Sequence, residues 1–403
     1  MGIRVGLIVV LLSSLLIQSA SSQGSINVAW TPLNETSTTS YRNLINRFTT
    51  ARNYGSEGYI AAQNYIRDWY TELNMTVVSQ EFDTFNDNVT GVNLIGILHG
   101  KKQTQNFFLV GAHYDTMKDN PGVTDNGSGM SAVLEIARIL NVMFTYNCTI
   151  DYSVIFVGFD MSKPEPDYGD DPPCPLSAGI GPCGVFNFID WLEKYLTEQD
   201  NAQLLGTFII DSILNYNTSI NSQIISEDAR VLLPDYFYNV SSGGYKGNYI
   251  AGVVRAADVT LAQTFRDSWV TMPLNELYQF QQVDLVGDAT PNPNVHIQLP
   301  TFFQSEHMQL WAENHIAMLI TDTLKQRGYQ QTCFDKSCDN LQFITETNYE
   351  FGYQTVRAIA DSIFKLGSGN CNTTIPPSSG SSLLPSLITF ISVHFVAFIL
   401  FVL

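Results

Sequence analysis

The chain has 403 residues, of which 45% are hydrophobic and 12% are aromatic. This composition supplies enough apolar surface for the core of a large folded domain and argues against a disordered chain. Lys and Arg number 20 against 38 Asp and Glu, which gives a formal net charge of −18. A chain this acidic repels phosphate backbones, so we expect no nucleic acid partner.

Residues 1–22 have the form of a signal peptide, with an apolar run that begins at Val5 and small residues at 20–22. The mature chain is therefore predicted to begin near Gln23 and to enter the secretory pathway. Eight Asn-X-Ser/Thr sequons fit a chain that is glycosylated there. They begin at Asn34, Asn74, Asn88, Asn126, Asn147, Asn217, Asn239 and Asn372.

The C-terminus has the form of an anchor signal. A polar linker at 367–382 is followed by an apolar tail at 383–403 that contains no Lys or Arg. Small residues, a polar spacer and an apolar end are typical of a glycosylphosphatidylinositol signal, whereas a transmembrane helix normally has basic residues beyond it. We expect a lipid anchor, attached within 378–382, on the outer cell surface. The alternatives are a C-terminal transmembrane anchor or a secreted chain.

Six cysteines form an even set without the CxxC spacing of a zinc site, so they are interpreted as disulfides. Short separations favour the pairs Cys174–Cys183 and Cys333–Cys338, which leaves Cys148 with Cys371. This connectivity is one of 15 that six cysteines allow.

Residues 41–366, after an N-terminal extension at 23–40, alternate strand-like and helix-like segments and indicate one α/β domain. The runs "NFFLVGAHYDT" and "YSVIFVGFD" are continuously apolar, as in central strands buried on both faces. "SGMSAVLEIARIL" predicts a helix between them, and "LLGTFIID" and "HIAMLITDT" predict further strands. Asn221–Asn294, interpreted as loops, indicates no particular ligand.

Polar side chains lie where these strands stop: His113, Asp115, Asp125 and Asp211. Each taken singly has a structural explanation, as a strand-end histidine, a helix N-cap or a turn residue. Together they predict a metal site, because imidazole and carboxylate ligands suit zinc. Asp115, two residues after His113, is predicted to orient the imidazole.

The order of these motifs resembles the co-catalytic di-zinc aminopeptidases of metallopeptidase family 28, which are relatives of the glutaminyl cyclases. The resemblance covers roughly residues 42–366 and includes "GAHYDT", "DNGSG", "SEH" and "ITDT". It implies a three-layer α/β/α domain with a mixed, mostly parallel central sheet. It also implies a first zinc held by His113, Asp125 and Asp211, and a second zinc that shares Asp125.

The second zinc site departs from the family pattern. Ser162 replaces the general base, Lys163 replaces a ligand Glu, and Gln330 replaces the late ligand His, with Gln331 as the alternative alignment. We therefore expect one zinc ion or none, not two. The Lys163 ammonium either replaces part of the lost charge beside Asp125 or points into solvent. A compensating carboxylate from Glu165 or Asp167 is the other alternative.

These replacements favour a non-catalytic cell-surface homologue that acts by binding or adhesion, with a peptide or protein ligand of unknown identity. Loss of a general base alone typically costs ~10²–10⁴ in rate. A Ser162–Lys163 nucleophilic dyad is disfavoured because adjacent strand residues point to opposite faces. The alternative is an active or altered metal-dependent aminopeptidase that releases N-terminal residues.

Overall fold

A computed structural model describes residues 37–84, 89–102, 106–145, 148–163, 183–200, 202–287 and 289–371. The predicted signal peptide and anchor signal lie outside these ranges, as do Glu165, Asp167 and Cys174. Within the described ranges, no helix combines the length and the apolar character that a bilayer-spanning segment needs.

An eight-stranded sheet forms the middle of the molecule, in the order β1-β2-β5-β3-β6-β9-β7-β8. Four of its neighbouring pairs are parallel and three are antiparallel. Strands β4 and β10 form a separate two-stranded ribbon. The strands are β1 (Thr76–Asp83), β2 (Thr90–Leu98), β3 (Asn106–His113), β4 (Cys148–Thr149), β5 (Ser153–Phe159), β6 (Gln203–Asp211), β7 (Tyr249–Arg255), β8 (Gln279–Leu285), β9 (Ala317–Thr321) and β10 (Asn370–Cys371).

Helices cover both faces of the sheet, and each face has its own apolar core. Helices α2, α3, α7 and α11 lie on one face, and α4, α6 and α9 lie on the other. The predicted α/β class and mostly parallel sheet are confirmed. The described helices are α1 (Ser37–Ile45), α2 (Glu57–Glu72), α3 (Gly129–Thr145), α4 (Cys183–Glu198), α5 (Glu227–Leu232), α6 (Pro234–Ser242), α7 (Val259–Val270), α8 (Pro293–Gln298), α9 (His307–Ala312), α10 (Gln330–Cys333) and α11 (Glu346–Leu366).

The register of the central strands brings their carboxyl ends together. His113, the last residue of β3, pairs with Phe159, the last residue of β5. Gly111 pairs with Ile209 on the other side of β3, so Asp211 lies level with His113. Because parallel strands end at the same edge of the sheet, these apolar runs place their polar ends in one crevice.

The interpretation of 221–294 as loops was wrong, since helices α5–α7 and strands β7 and β8 lie there. Strand β7 is buried along its whole length, but its sequence YIAGVVR includes Gly and Ala, which have low strand propensity. Strand β8 is rich in glutamine and partly exposed. Pairing within the sheet, rather than local propensity, makes both segments strands.

Two disulfides join described cysteines, Cys148–Cys371 and Cys333–Cys338. The first links the two strands of the β4–β10 ribbon, where Cys148 lies opposite Cys371. The second closes a short loop after helix α10. Cys183 is also disulfide-bonded.

Candidate active site

His113, Asp125 and Asp211 converge at the carboxyl edge of the sheet. One ligand atom from each lies within 4.8 Å of the other two, and all three residues are buried. Nε2 of His113 lies 3.3 Å from Oδ1 of Asp125 and 3.8 Å from Oδ1 of Asp211. Among the described residues, no other group of His, Cys, Asp and Glu side chains meets this condition.

Asp115 faces the other nitrogen of the same imidazole. Nδ1 of His113 lies 3.1 Å from the Asp115 carbonyl oxygen and 3.5 Å from Oδ1 of its carboxylate. A proton on Nδ1 is thereby held by Asp115, which leaves Nε2 free to face Asp125 and Asp211. This is the arrangement by which a carboxylate or carbonyl sets the tautomer of a ligand histidine.

Asp125 is positioned by the turn at Val123–Ser128 that leads into helix α3. The Asp339 carboxylate accepts the backbone N–H groups of Thr124 at 3.0 Å and of Asp125 at 2.9 Å. Gly129 allows the turn to approach β6, because a Cβ atom there would lie 2.6 Å from the Ile210 carbonyl oxygen. Gly129 of "DNGSGM" therefore lets Asp125 lie next to Asp211.

Lys163 points into the site rather than into solvent. Its Nζ donates to Oδ2 of Asp125 at 2.6 Å and lies 3.1 Å from Oδ1 of Asp335. The ammonium also lies 4.8 Å from the centre of the Phe334 ring, and the backbone N–H of Lys163 donates to Oδ2 of Asp115 at 2.7 Å. Asp125 thus offers one oxygen to His113 and the other to Lys163.

Ser162 contacts a carboxylate from a different element. Its hydroxyl donates to Oε1 of Glu306 at 2.6 Å, and the Ser305 hydroxyl donates to Oε2 of Glu306 at 2.9 Å. Glu306 is buried immediately before helix α9. Next to it, His307 is buried with Nε2 at 3.0 Å from the Phe302 carbonyl oxygen, a supporting role rather than a ligand role.

The two glutamines considered for the missing histidine differ in their surroundings. Gln330 is buried at the start of helix α10. Gln331 is exposed, and its amide nitrogen donates to the Ser222 carbonyl oxygen at 3.2 Å. Neither supplies an imidazole, so these positions offer no nitrogen ligand of the usual kind.

Electrostatics couples these groups strongly. Burial lowers the pKa of His113, but the carboxylates of Asp115, Asp125 and Asp211 outweigh it and raise that pKa well above the usual value. Burial raises the pKa of Asp125, but the Lys163 ammonium and His113 together lower it below its ordinary range. In return Asp125, Asp335 and Asp211 raise the pKa of Lys163 despite its burial. The Lys163 ammonium and the Asp125 carboxylate therefore stay charged.

The donor set fits one divalent ion. Three atoms bound to zinc at ~2.0–2.2 Å in tetrahedral geometry lie about 3.3–3.6 Å apart, close to the distances between Nε2 of His113 and the two carboxylates. Oδ1 of Asp125 and Oδ1 of Asp211 are buried and accept no hydrogen bond from the described residues. Five carboxyl groups, from Asp115, Asp125, Asp211, Glu306 and Asp335, contact His113, Ser162 or Lys163.

Two acidic residues of this site, Glu306 and Asp335, were not predicted. Glu306 lies within the quoted "SEH" motif, so a sequence signal existed for it. Asp335 lies five residues after Gln330 in the loop closed by Cys333–Cys338. Only the folded loop brings Asp335 next to Lys163.

A family model and two relatives match parts of this chain. Residues 93–161 match Peptidase family M28. Aminopeptidase YwaD of Bacillus subtilis (strain 168) is 46% identical over 125 residues, which is 30% of this chain and 23% of that protein. Leupeptin-inactivating enzyme 1 of Streptomyces exfoliatus is 34% identical over 86 residues, or 21% of this chain and 19% of that protein. The matches thus span less than a quarter of either relative.

Solved structures show a similar fold over most of the chain. LapB from Legionella pneumophila has a TM-score of 0.55 at 13% identity, covering 83% of this chain and 73% of that one. BSAP, a zinc aminopeptidase from Bacillus subtilis, has a TM-score of 0.53 at 12% identity, covering 82% of this chain and 95% of that one. Macrostomum lignano glutaminyl cyclase has a TM-score of 0.53 at 14% identity, covering 82% of this chain and 90% of that one. At these identities the likeness shows the fold alone.

The predicted resemblance to metallopeptidase family 28 is confirmed by these matches. The family match includes His113 and Asp125 and ends at Met161, one residue before Ser162. Ser162, Lys163 and Gln330, the positions predicted to depart from the family pattern, lie outside this family match.

Proposed function

From a sequence and a fold similar to those of zinc aminopeptidases, we propose that this protein is a cell-surface member of that group that binds at most one zinc ion and acts by binding a peptide or protein. One observation carries the proposal. Nζ of Lys163 lies 2.6 Å from Oδ2 of Asp125 and 3.1 Å from Oδ1 of Asp335. A fixed ammonium therefore takes the carboxylate oxygen that a second metal ion would need.

His113, Asp125 and Asp211 are the residues that would hold the remaining ion, with Asp115 orienting His113. A bound zinc ion polarises a carbonyl oxygen and lowers the pKa of a bound water toward ~7. Ser162 is a poor proton acceptor at the position of the general base, because a neutral hydroxyl has little basicity. The site is thereby suited to hold a polar chain end rather than to hydrolyse it rapidly.

Metal stoichiometry tests the proposal directly. We expect the purified glycosylated chain to bind one zinc ion or none, measured by calorimetric titration and elemental analysis after dialysis. Asp211→Asn should abolish any binding, whereas Asp284→Asn, on the exposed edge of the sheet, should not. Two tightly bound zinc ions per chain would contradict the single-cation site.

Restoring the family pattern tests the assignment of the replaced residues. The triple variant Ser162→Glu, Lys163→Glu and Gln330→His should bind a second zinc ion and gain aminopeptidase activity on aminoacyl-anilides. A parallel triple variant with Gln331→His in place of Gln330→His compares the two alignments. If both variants fold and bind two ions without gaining activity, loss of these three groups does not explain the impairment.

A second candidate function, an altered metal-dependent aminopeptidase, is favoured by Glu306. This carboxylate lies 2.6 Å from the Ser162 hydroxyl, so it offers a base close to the position that lost one. Burial raises the pKa of Glu306, which makes the carboxylate a better proton acceptor. Chelator-sensitive release of N-terminal residues that falls about 10²-fold or more in Glu306→Gln would favour this candidate over the non-catalytic one.

Attachment to the membrane through a C-terminal lipid is part of the proposed function. Paired disulfides support an extracellular site of action, because such bonds persist in oxidising compartments. Treatment of intact cells with phosphatidylinositol-specific phospholipase C should release the protein. Replacing residues 383–403 with a stop codon should send it into the medium instead. Retention after phospholipase treatment would favour a transmembrane anchor.

A further inference from the structure

Strand β8 is a free edge of the central sheet. It is the last strand in the order and pairs only with β7 among the described strands. Its sequence, QFQQVDL, contains no Lys, Arg or Pro, the residues that usually protect an edge from pairing with another chain. Asp284 is its one charged residue. A glutamine-rich edge with a single charged residue is a template for strand addition, so this edge needs protection.

A groove of about 680 Å³ runs along this edge. Helix α6 contributes Asp235 and Asn239, helix α7 contributes Arg266 and Trp269, and β8 contributes Gln281 and Asp284. Most of these side chains are polar, and the groove is open to solvent. This is room for a hydrophilic, bulky group rather than for an apolar ligand.

Asn239 of this groove begins the sequon Asn239-Val240-Ser241. Its side chain is exposed, and Nδ2 lies 3.3 Å from Oε1 of Gln281, the middle of β8. A glycan is attached through this nitrogen, which keeps one hydrogen for Gln281. The first sugar would therefore stand directly over the free edge.

The other described sequons lack this placement. Asn126 is fully buried, and its Nδ2 donates to the Ile210 carbonyl oxygen at 2.8 Å, so its sequon is not accessible in the folded chain. Asn217 is half-buried, and Asn74 follows helix α2 at the far side of the sheet order. Asn239 is the one described sequon asparagine that contacts a β8 side chain.

We propose that Asn239 carries an N-linked glycan that covers the free edge of β8 and keeps the protein from associating through that edge. A second strand must approach to ~4.7–4.9 Å to pair with β8. A hydrated oligosaccharide anchored beside Gln281 prevents that approach. The glycan thus takes the part that lysine or proline plays at other sheet edges.

The test uses the full chain secreted from eukaryotic cells. Mass spectrometry should find Asn239 glycosylated in the wild type and in Ser241→Thr, which keeps the sequon, but not in Ser241→Ala. Light scattering over a concentration series should show Ser241→Ala associating at a concentration about tenfold lower. The control Ser219→Ala, which removes the Asn217 sequon, should behave like the wild type.

Adding Gln281→Lys to Ser241→Ala should restore the monomer, because a charged edge side chain opposes strand pairing. If Ser241→Ala is not secreted, removing the whole glycan from the folded wild type with a peptide N-glycosidase supplies the same comparison, with and without Gln281→Lys. An unmodified Asn239 in the wild type would overturn the proposal. So would an unglycosylated chain that stays monomeric over the same range as the wild type.

Discussion

Asp125 divides its two carboxylate oxygens between two cationic partners, and this division decides what the site is able to bind. Oδ1 faces Nε2 of His113 at 3.3 Å, while Oδ2 accepts from Nζ of Lys163 at 2.6 Å. A buried carboxylate that is paired on both sides stays ionised. Lys163 therefore supplies the buried Asp125 with a cation that belongs to the chain itself.

Removing the ammonium should destabilise the metal-free protein. Lys163→Met keeps the length of the side chain but removes the ammonium from the buried Asp125 and the half-buried Asp335. His113 remains beside Asp125, so the cost should be about 3 kcal/mol, the lower end for breaking a buried ion pair. Urea denaturation in a chelator should show this loss, and saturating zinc should reduce it because the ion neutralises the carboxylates. Lys194→Met, at a side chain that is 77% exposed, is the control. Equal losses in both variants would contradict the role of the ammonium.

A buried carboxyl that is not among the proposed ligands should make stability depend on pH. Burial raises the pKa of Asp322 to about 7, although it accepts the backbone N–H groups of Asn215 and Leu324. The folded chain therefore binds more protons than the unfolded chain between pH ~4 and 7, so this group lowers stability as pH rises through that window.

Asp322→Asn should remove this contribution. The difference in unfolding free energy between variant and wild type should move in favour of asparagine from pH 5 to pH 8, as measured by urea denaturation at each pH. Asp267→Asn, on the exposed side of helix α7, controls for loss of a negative charge. A difference for Asp322→Asn that stays constant with pH would sink the assignment.

At the scale of elements, the loop closed by Cys333–Cys338 holds one wall of the site. Asp335 of this loop contacts Lys163, and Asp339, just after it, accepts the N–H groups of Thr124 and Asp125. The Cys148–Cys371 bridge instead joins β4 to β10. The Cys333–Cys338 disulfide therefore supports the site, and the Cys148–Cys371 disulfide supports the fold.

Removing each disulfide in turn should separate these roles. Cys333→Ser with Cys338→Ser opens a short loop and should cost roughly 2 kcal/mol of stability, with weaker zinc binding. Cys148→Ser with Cys371→Ser opens a loop with a sequence separation of 223 and should cost about 4–5 kcal/mol, with zinc affinity preserved. Denaturation and zinc titration of both variants measure the two effects. Equal changes in zinc affinity would contradict the separation.

At the scale of the whole molecule, the fold continues on both sides of the range 41–366 that the sequence indicated. Helix α1 begins at Ser37 and places Tyr41, Leu44 and Ile45 in the core. Strand β10 at Asn370–Cys371 pairs with β4. The β4–β10 ribbon thus joins the end of the domain to the segment between helix α3 and strand β5.

Truncation tests where the domain ends. A chain of residues 37–371 should unfold in one cooperative transition. Ending it at residue 366 removes β10 and the Cys148–Cys371 bridge and should cost about 4–5 kcal/mol. Thermal and urea unfolding of the two chains, with Cys148→Ser in the shorter chain only, provide the comparison. Equal stability would place the end of the domain at residue 366.

Local sequence patterns were enough to predict the class of the fold and the polar residues at the strand ends. Continuous apolar runs predict buried central strands, and His113 and Asp211 are the last residues of two such runs. Asp125 instead lies in the turn before helix α3, and the motif "DNGSG" indicated it. Local patterns did not predict strands β7 and β8, whose Gly, Ala and Gln residues have low strand propensity. These segments become strands by pairing within the sheet.

Which groups meet at the site depends on the tertiary fold, because they come from distant segments of the chain. The sequence left Lys163 with two directions, and the folded chain turns it onto Asp125 because the loop after Gln330 brings Asp335 and Phe334 beside it. Likewise Glu306, 144 residues from Ser162, reaches that hydroxyl through helix α9 packing on the sheet. Contacts between distant segments depend on packing, and no local pattern specifies them.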